Sequence, residues 1–303
     1  MNSDSIDRVA SLNAVQKYTE VFDRKLGALP GVHHLRIDEA VVPVVMPSRR
    51  VPVSVQSSLK TELDRLTDMQ VITPVDEPTP WVNQMVATRK KTGEMRICID
   101  PKELNKALLR ERYILPIIED SLHELGESRI FSKADLSSGY WHVKLDDESS
   151  LLTTFQTCFG RYRWLCLPFG LCVSSEIFQK KLLEALGGLV GVICIADDVI
   201  IHGKNMEDHD QNLEKFLERC QQKGIKLNKQ KMELRLNQIA FMGHIVTSDG
   251  LQADPEKVKA VSNMSPPKDI TELRRFLGMV NYLTKYLSHV TNMTELLRNL
   301  TKK

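Results

Sequence analysis

Asp197 and Asp198 sit side by side within an otherwise apolar, β-branched run from Val190 to Gly203. Such a run predicts buried strand, and two acids in its middle predict a tight turn. The stretch therefore reads as a β-hairpin with both carboxylates at its tip. Paired anions repel and raise one another's proton affinity, and nothing adjacent in sequence neutralises them. A divalent cation would, because carboxylate oxygens suit Mg²⁺ and Mn²⁺. Taken alone, an Asp-Asp pair reads as a solvated turn, since turns favour Asp. A third acid argues for more. Asp135 lies at the end of a predicted strand, Ile130 to Leu136, 62 residues upstream with one helix and its loops between. A βαβ crossover of that kind returns the chain to a neighbouring strand, so the strand tips can meet. Carboxylates meeting there could hold two cations ~3.5–4 Å apart, the arrangement for in-line phosphoryl transfer.

Two basic stretches frame these acids. Between Arg89 and Arg112 there are eight Lys or Arg against four Asp or Glu, and between Arg219 and Arg235 six against one. The net charge is only +2, so affinity for polyanions must come from such patches. Singly they read as solvated faces; bracketing an acidic cluster, they read as a phosphate-tracking groove with Lys90 and Arg96 placed to clamp a triphosphate.

The remaining elements must position these groups. Val55 to Met69 predicts a surface helix, and Gln84 to Asp100 a hairpin turning at Lys91–Glu94. Ser174 or Ser175 is expected to cap a helix that Gly187-Gly188 ends. Asn205 caps another that stops at Gly224. Residues 234–251 read as a hairpin with Phe241 to His244 on one arm and Ser248-Asp249-Gly250 at the turn. Asp254-Pro255 opens a short helix, and Asp269 with Glu272 starts a final one. Interleaved strands and helices of this order predict an α+β core of the split βαβ kind followed by a helical cap.

The totals fit an ordinary soluble chain: 303 residues, 42% hydrophobic, 26% charged. Six cysteines show no paired or zinc-ligand spacing and read as buried thiols in a reducing compartment. His33-His34 lacks a third ligand and reads as surface decoration. The polar N-terminus predicts no signal peptide, and no apolar stretch approaches a membrane span. An intracellular location, cytoplasmic or nuclear, is expected.

Six stretches carry a resemblance. They are Arg96 to Pro101 running on to Leu104-Asn105-Lys106, Phe131 to Tyr140, Leu167 to Cys172, Ala196-Asp197-Asp198, Phe241 to His244, and Glu272 to Gly278. In this order they resemble the reverse transcriptases of Ty3/gypsy-type long-terminal-repeat retrotransposons, over roughly residues 35 to 290. The resemblance implies a right-hand polymerase of α+β class: fingers, a palm with a split βαβ, ferredoxin-like core, and a helical thumb. The divisions it implies are an N-terminal extension over 1–40, fingers with the first palm elements over 41–130, palm over 131–250 and thumb over 251–303. Asp135, Asp197 and Asp198 match the metal-binding triad, with the Leu136 carbonyl an added ligand to two Mg²⁺ or Mn²⁺. Lys90 and Arg96 match the residues that hold the incoming deoxynucleoside triphosphate. Tyr140 matches the aromatic that blocks a ribose 2′-hydroxyl, and Phe169 the loop that backs the nucleotide. Phe241, Met242, Gly243 and His244 match the strand that grips the primer end. Lys226, Lys229 and Lys231 would touch template–primer phosphates.

Two positions depart from the pattern. Ile195 stands where many relatives have Tyr, which removes a primer contact, and Val173-Ser174-Ser175 replaces an Ala-Pro step, which shifts the expected helix start. The expected activity is RNA-directed DNA synthesis on an RNA or DNA template with primer, with ribonuclease H and integrase belonging to a longer Pol polyprotein. A catalytically degenerate, retroelement-derived nucleic-acid-binding module is the alternative, and a palm-type nucleotide cyclase a third reading that leaves the final helices unexplained.

Overall fold

Alternation along Ile130–Asp135 and Asp198–Gly203 gives one sheet two buried faces, and this sheet organises the molecule. The computed structural model describes residues 16–23, 25–89, 93, 95–286 and 290–301. Strand β1 (Val32–His33) pairs in parallel with β6 (Lys144–Leu145). The central sheet contains β5 (Ile130–Asp135), β9 (Val192–Ile195), β10 (Asp198–Gly203) and β11 (Glu233–Leu236), in the order β11-β5-β10-β9. Every pairing in it is antiparallel. Strands β5 and β9 are therefore parallel to one another with β10 between them, a split βαβ unit. The crossover does not bring β9 beside β5, as the sequence suggested; the hairpin partner β10 takes that place.

Two helices close the units. Helix α5 (Ser174–Leu186) precedes β9, and α6 (Met206–Lys223) lies between β10 and β11. Asn205 accepts the Asp208 N–H at 2.9 Å, and Gly224 ends α6 at φ +70°. The expected serine cap on α5 is corrected. Val173 is the N-cap residue, and no side chain caps the helix. Ser174 Oγ instead donates to Pro168 O (2.8 Å), and Ser175 Oγ bonds the Tyr140 hydroxyl (2.7 Å).

The sheet's two faces belong to two cores. Ala134, Cys194, Val199 and Ile201 join the large core that holds Phe216 and Leu217 of α6 and Phe178 of α5. Phe131, Ile193, Ile195 and Ile200 face a smaller core with Ile239, Phe241 and Val246. Period-2 alternation puts Lys133, Asp135 and Asp198 on this second face.

A five-stranded sheet, ordered β2-β8-β7-β3-β4, carries the basic hairpin. It is built from β2 (Ile72–Pro74), β3 (Asn83–Arg89), β4 (Met95–Asp100), β7 (Phe155–Thr157) and β8 (Gly160–Trp164). Strands β7 and β8 enter it from within the 131–250 stretch, so the expected divisions exchange chain. Helix α1 (Val53–Asp68) packs Leu59, Leu63 and Leu66 into the large core. The short helices α2 (Leu104–Ala107), α3 (Leu122–Leu125) and α4 (Asp147–Leu152) connect these layers.

Residues 238–253 form a three-stranded meander, not one hairpin: β12 (Gln238–Phe241), β13 (His244–Thr247) and β14 (Gly250–Ala253). Phe241 to His244 spans a turn because Met242 and Gly243 both take left-handed φ, +48° and +84°. Such values match the two-residue turns that fit sheet twist. Helices α7 (Pro255–Ser262), α8 (Ile270–Leu283) and α9 (Val290–Leu300) follow. Asp254 and Asp269 cap the first two. No helix among the described residues is long and apolar enough to cross a membrane.

Candidate active site

The register of β5 and β10 places Asp198 directly opposite Asp135. Opposed residues on one face of an antiparallel pair have Cβ atoms ~4.5–5.5 Å apart, so the two carboxylates are neighbours. Asp197 is not at a shared tip with Asp198. It occupies the two-residue turn with Ala196, whose φ of +53° is uncommon for a residue bearing Cβ. The turn is tied to β5 by a Leu136 N–H bond to Asp197 O (3.0 Å).

Each acid has a different environment. Lys231 Nζ donates to both oxygens of Asp135, at 3.0 and 2.9 Å. Lys133, two residues before Asp135 and on the same face, reaches Asp198 Oδ1 at 3.2 Å. Asp197 has no such cation: its Oδ1 is buried without a hydrogen-bond partner. Burial, then the charges of Asp135 and Asp198, push its carboxyl up to about 6, while Lys231 and Arg96 pull weakly the other way. Asp197 Oδ1 lies against Gly139, where a Cβ would come within 2.3 Å of it and 2.8 Å of Phe178 Cζ. A side chain there would force the Asp197 carboxylate and the Phe178 ring to move.

As placed, no three His, Cys, Asp or Glu side chains among the described residues form a ready ligand set for one ion. The reason is physical: lysines hold two of the aspartates, and the turn directs the third toward Gly139. The donor chemistry nevertheless fits a hard divalent cation. Two carboxylates face one another across the strand pair, and a third in the adjoining turn has a buried oxygen with unmet demand.

Around the acids, Arg96 Cζ stands 5.4 Å from the Phe169 ring, itself 4.7 Å from Tyr140. Tyr140 lies 5.2 Å from Phe178 and bonds Ser175 Oγ. Arg96, Phe169, Tyr140 and Phe178 thus form one continuous series beside Asp197. Lys90 lies outside the described residues.

Three expectations need correction. Lys226 is not free for phosphates. It pairs with Asp23 at 3.0 Å, donates to Glu20 O, and its side chain is only 15% exposed. Phe241 is buried in the smaller core, and His244 is buried with its ring stacked on Tyr282 (5.4 Å) and bonded to Tyr286. Of that tetrad only Met242 is exposed as a side chain at the turn; Gly243 O accepts from Lys257 and Tyr282. Ile195 is 5% exposed and belongs to the same core. Lys229 is exposed, and Lys231 serves Asp135.

Sequence reasoning missed Gln179 and the role of Gly139. Gln179 is 1% exposed on α5. Its Nε2 donates to Cys194 O (3.0 Å), and its Oε1 accepts the Ala196 N–H (2.6 Å). The signal was a polar residue beside Phe178 on an otherwise core-facing surface of the helix.

The chain is similar to known proteins in sequence and in fold. A family model described as reverse transcriptase (RNA-dependent DNA polymerase) matches residues 88–246. The retrovirus-related Pol polyprotein from transposon opus of Drosophila melanogaster is 32% identical over 265 residues, 86% of this chain and 26% of that protein. The Pol polyprotein from transposon gypsy of the same fly is 32% identical over 216 residues, 71% of this chain and 21% of that protein. The chain thus spans about a quarter of the length of the curated relatives it matches. Among solved structures, a foamy viral protease-reverse transcriptase in complex with double-stranded DNA superposes with a TM-score of 0.89 at 19% identity, covering 99% of this chain and 53% of that one. The same kind of enzyme in complex with an RNA/DNA hybrid gives 0.82 at 20% identity, covering 99% and 41%. By sequence and fold together, the chain belongs to the reverse transcriptase family, of the Ty3/gypsy retrotransposon type.

Proposed function

We propose that the chain is the polymerase core of a retrotransposon Pol protein and extends a primer 3′-hydroxyl with deoxynucleoside triphosphates on an RNA or DNA template. The carrying observation is Asp198 in register with Asp135, with the half-buried Asp197 in the adjoining turn, its Oδ1 without a hydrogen-bond partner. Asp135, Asp197, Asp198 and the Leu136 carbonyl would hold two Mg²⁺ or Mn²⁺, which when bound supply an acidified primer hydroxyl and charge neutralisation at the departing pyrophosphate. Arg96 would clamp the triphosphate from its place over Phe169, with Lys90, matched only by sequence, as its partner in that role. Tyr140, braced by Phe169, Phe178 and Ser175, would present its ring to the sugar and exclude a 2′-hydroxyl. The Met242-Gly243 turn would meet the primer end through its backbone and the Met242 side chain. Residues 41–130 with β7 and β8 would act as fingers, the rest of 131–250 as palm and 251–303 as thumb, with 1–40 an N-terminal extension.

Incorporation of dTTP on a poly(rA)–oligo(dT) duplex tests the proposal. Incorporation should require Mg²⁺ or Mn²⁺ and vanish in Asp198→Asn. Equal incorporation by that variant, or none by the parent, would overturn it.

The two lysines of the second basic stretch should separate. Lys229→Ala is expected to reduce the slope of log affinity against log salt by ~0.7–0.9, as loss of one phosphate contact does. Lys226→Ala should leave that slope unchanged and lower the melting temperature, because Asp23 loses its partner. Filter binding on a primer–template duplex from 50 to 200 mM salt reads both.

A further inference from the structure

Asp197 is held where its own electrostatics oppose it. Its neighbours Asp135 and Asp198 carry like charge, and Ala196 before it takes a left-handed conformation that an L-residue disfavours. Something must outweigh both. On the β5 side the turn has the Leu136 N–H bond to Asp197 O. On the helix side it has Gln179, whose amide spans the end of β9 by accepting from Ala196 N–H and donating to Cys194 O. Gln179 follows Phe178, the residue whose ring closes the space around Asp197 Oδ1 and supports Tyr140. Helix α5 thus fixes the carboxylate's backbone with one residue and its surroundings with the next.

We infer that Gln179 is a positioning residue: its two amide hydrogen bonds hold the Ala196-Asp197 turn so that Asp197 stays beside Asp135 and Asp198 as a third metal-binding carboxylate. The inference rests on the metal-dependent reading above and assigns a role to a side chain that touches neither metal nor substrate. Both bonds require a side chain of this length ending in a group that donates and accepts. Met matches the length without the amide, and Asn keeps the amide but is one methylene too short.

The test compares the parent, Gln179→Met, Gln179→Asn and Leu213→Ala, the last a core control on α6 that is 2% exposed. The full chain is melted in EDTA and again across a titration with MgCl₂ alone. Primer extension then gives kcat and KM for dTTP. All three variants should melt below the parent in EDTA. Only the Gln179 variants should need at least ~10-fold more Mg²⁺ for half the thermal shift, and show kcat down ~10–100-fold with KM for dTTP within about threefold. Leu213→Ala should keep the parent's Mg²⁺ midpoint and kcat. A parental Mg²⁺ midpoint in either folded Gln179 variant would overturn the inference. If the parent extends no primer yet its Mg²⁺ shift is weakened only in the Gln179 variants, the polymerase proposal falls and the role of Gln179 stands.

Discussion

Asp197→Asn is expected to melt several degrees above the parent in EDTA and to extend no primer. The Asp197 carboxyl is raised from 3.8 to about 6 by burial and by its two acidic neighbours. A group that holds its proton more tightly folded than unfolded destabilises the fold when ionised. The penalty is therefore full above about pH 6 and fades as pH falls toward 4. Two pKa units correspond to about 3 kcal/mol, and partial exposure reduces that to roughly 1–3 kcal/mol. Asparagine keeps the shape and removes the charge, so that energy returns as stability. Mg²⁺ should raise the parent's melting temperature by relieving the same repulsion, and the variant's much less. Losing the carboxylate should slow extension on the order of 10³-fold or more, since metal-assisted charge stabilisation is worth several kcal/mol. Differential scanning fluorimetry at pH 7.5, with and without Mg²⁺, together with extension assays reads all three. Equal melting of parent and variant in EDTA would show that the three acids do not strain one another.

The three aspartates were legible because strand periodicity and turn chemistry are local, and a β-branched run broken by acids has few alternatives. The in-register opposition of Asp198 and Asp135 then follows from burying both faces of one sheet. What escaped depends on partners distant in sequence. Lys226 reads as a phosphate contact in a basic stretch, yet Asp23, far away in the chain, claims it. Phe241 to His244 reads as a strand because Met is not a turn former, but Met242 adopts φ +48° beside Gly243. The β7–β8 hairpin turns at Cys158-Phe159 without a turn-forming pair; Thr157 Oγ1 supplies the closure by accepting the Phe159 N–H and donating to Gly160 O. Gln179 escaped because spacing alone does not separate a buried amide from a solvated one. The serine caps on α5 failed for a related reason: both hydroxyls had better partners across the fold, Pro168 O and the Tyr140 hydroxyl.

The protein is expected to lose stability steeply between pH 6.5 and 4, through two buried imidazoles. His142 is fully buried. Its Nε2 accepts the Lys226 N–H at 3.0 Å and its Nδ1 faces Gly139 O at 3.1 Å, so the neutral form with a proton on Nδ1 satisfies both. Burial, helped by the Lys226 charge, lowers it to about 4. His202 is lowered to about 4 by burial, against the opposing pull of the Asp208 charge; its Nδ1 meets Ser128 Oγ at 2.8 Å and its Nε2 has no partner. Both imidazoles stay neutral in the fold while the unfolded chain takes up protons below about pH 6.5. The lost stability is therefore nil above that pH and reaches about 3 kcal/mol per histidine at pH 4. Asp197 works the other way, since its repulsion fades over the same range, returning up to roughly 3 kcal/mol. The parent's unfolding free energy should thus fall by about 3–5 kcal/mol from pH 7 to 4, a large share of a typical 5–15 kcal/mol. Asp197→Asn lacks the compensation and should fall by about 6 kcal/mol. Urea denaturation at pH 7, 6, 5 and 4 measures both curves. Parallel curves for parent and variant would mean that Asp197 takes up no proton in the fold until well below pH 6.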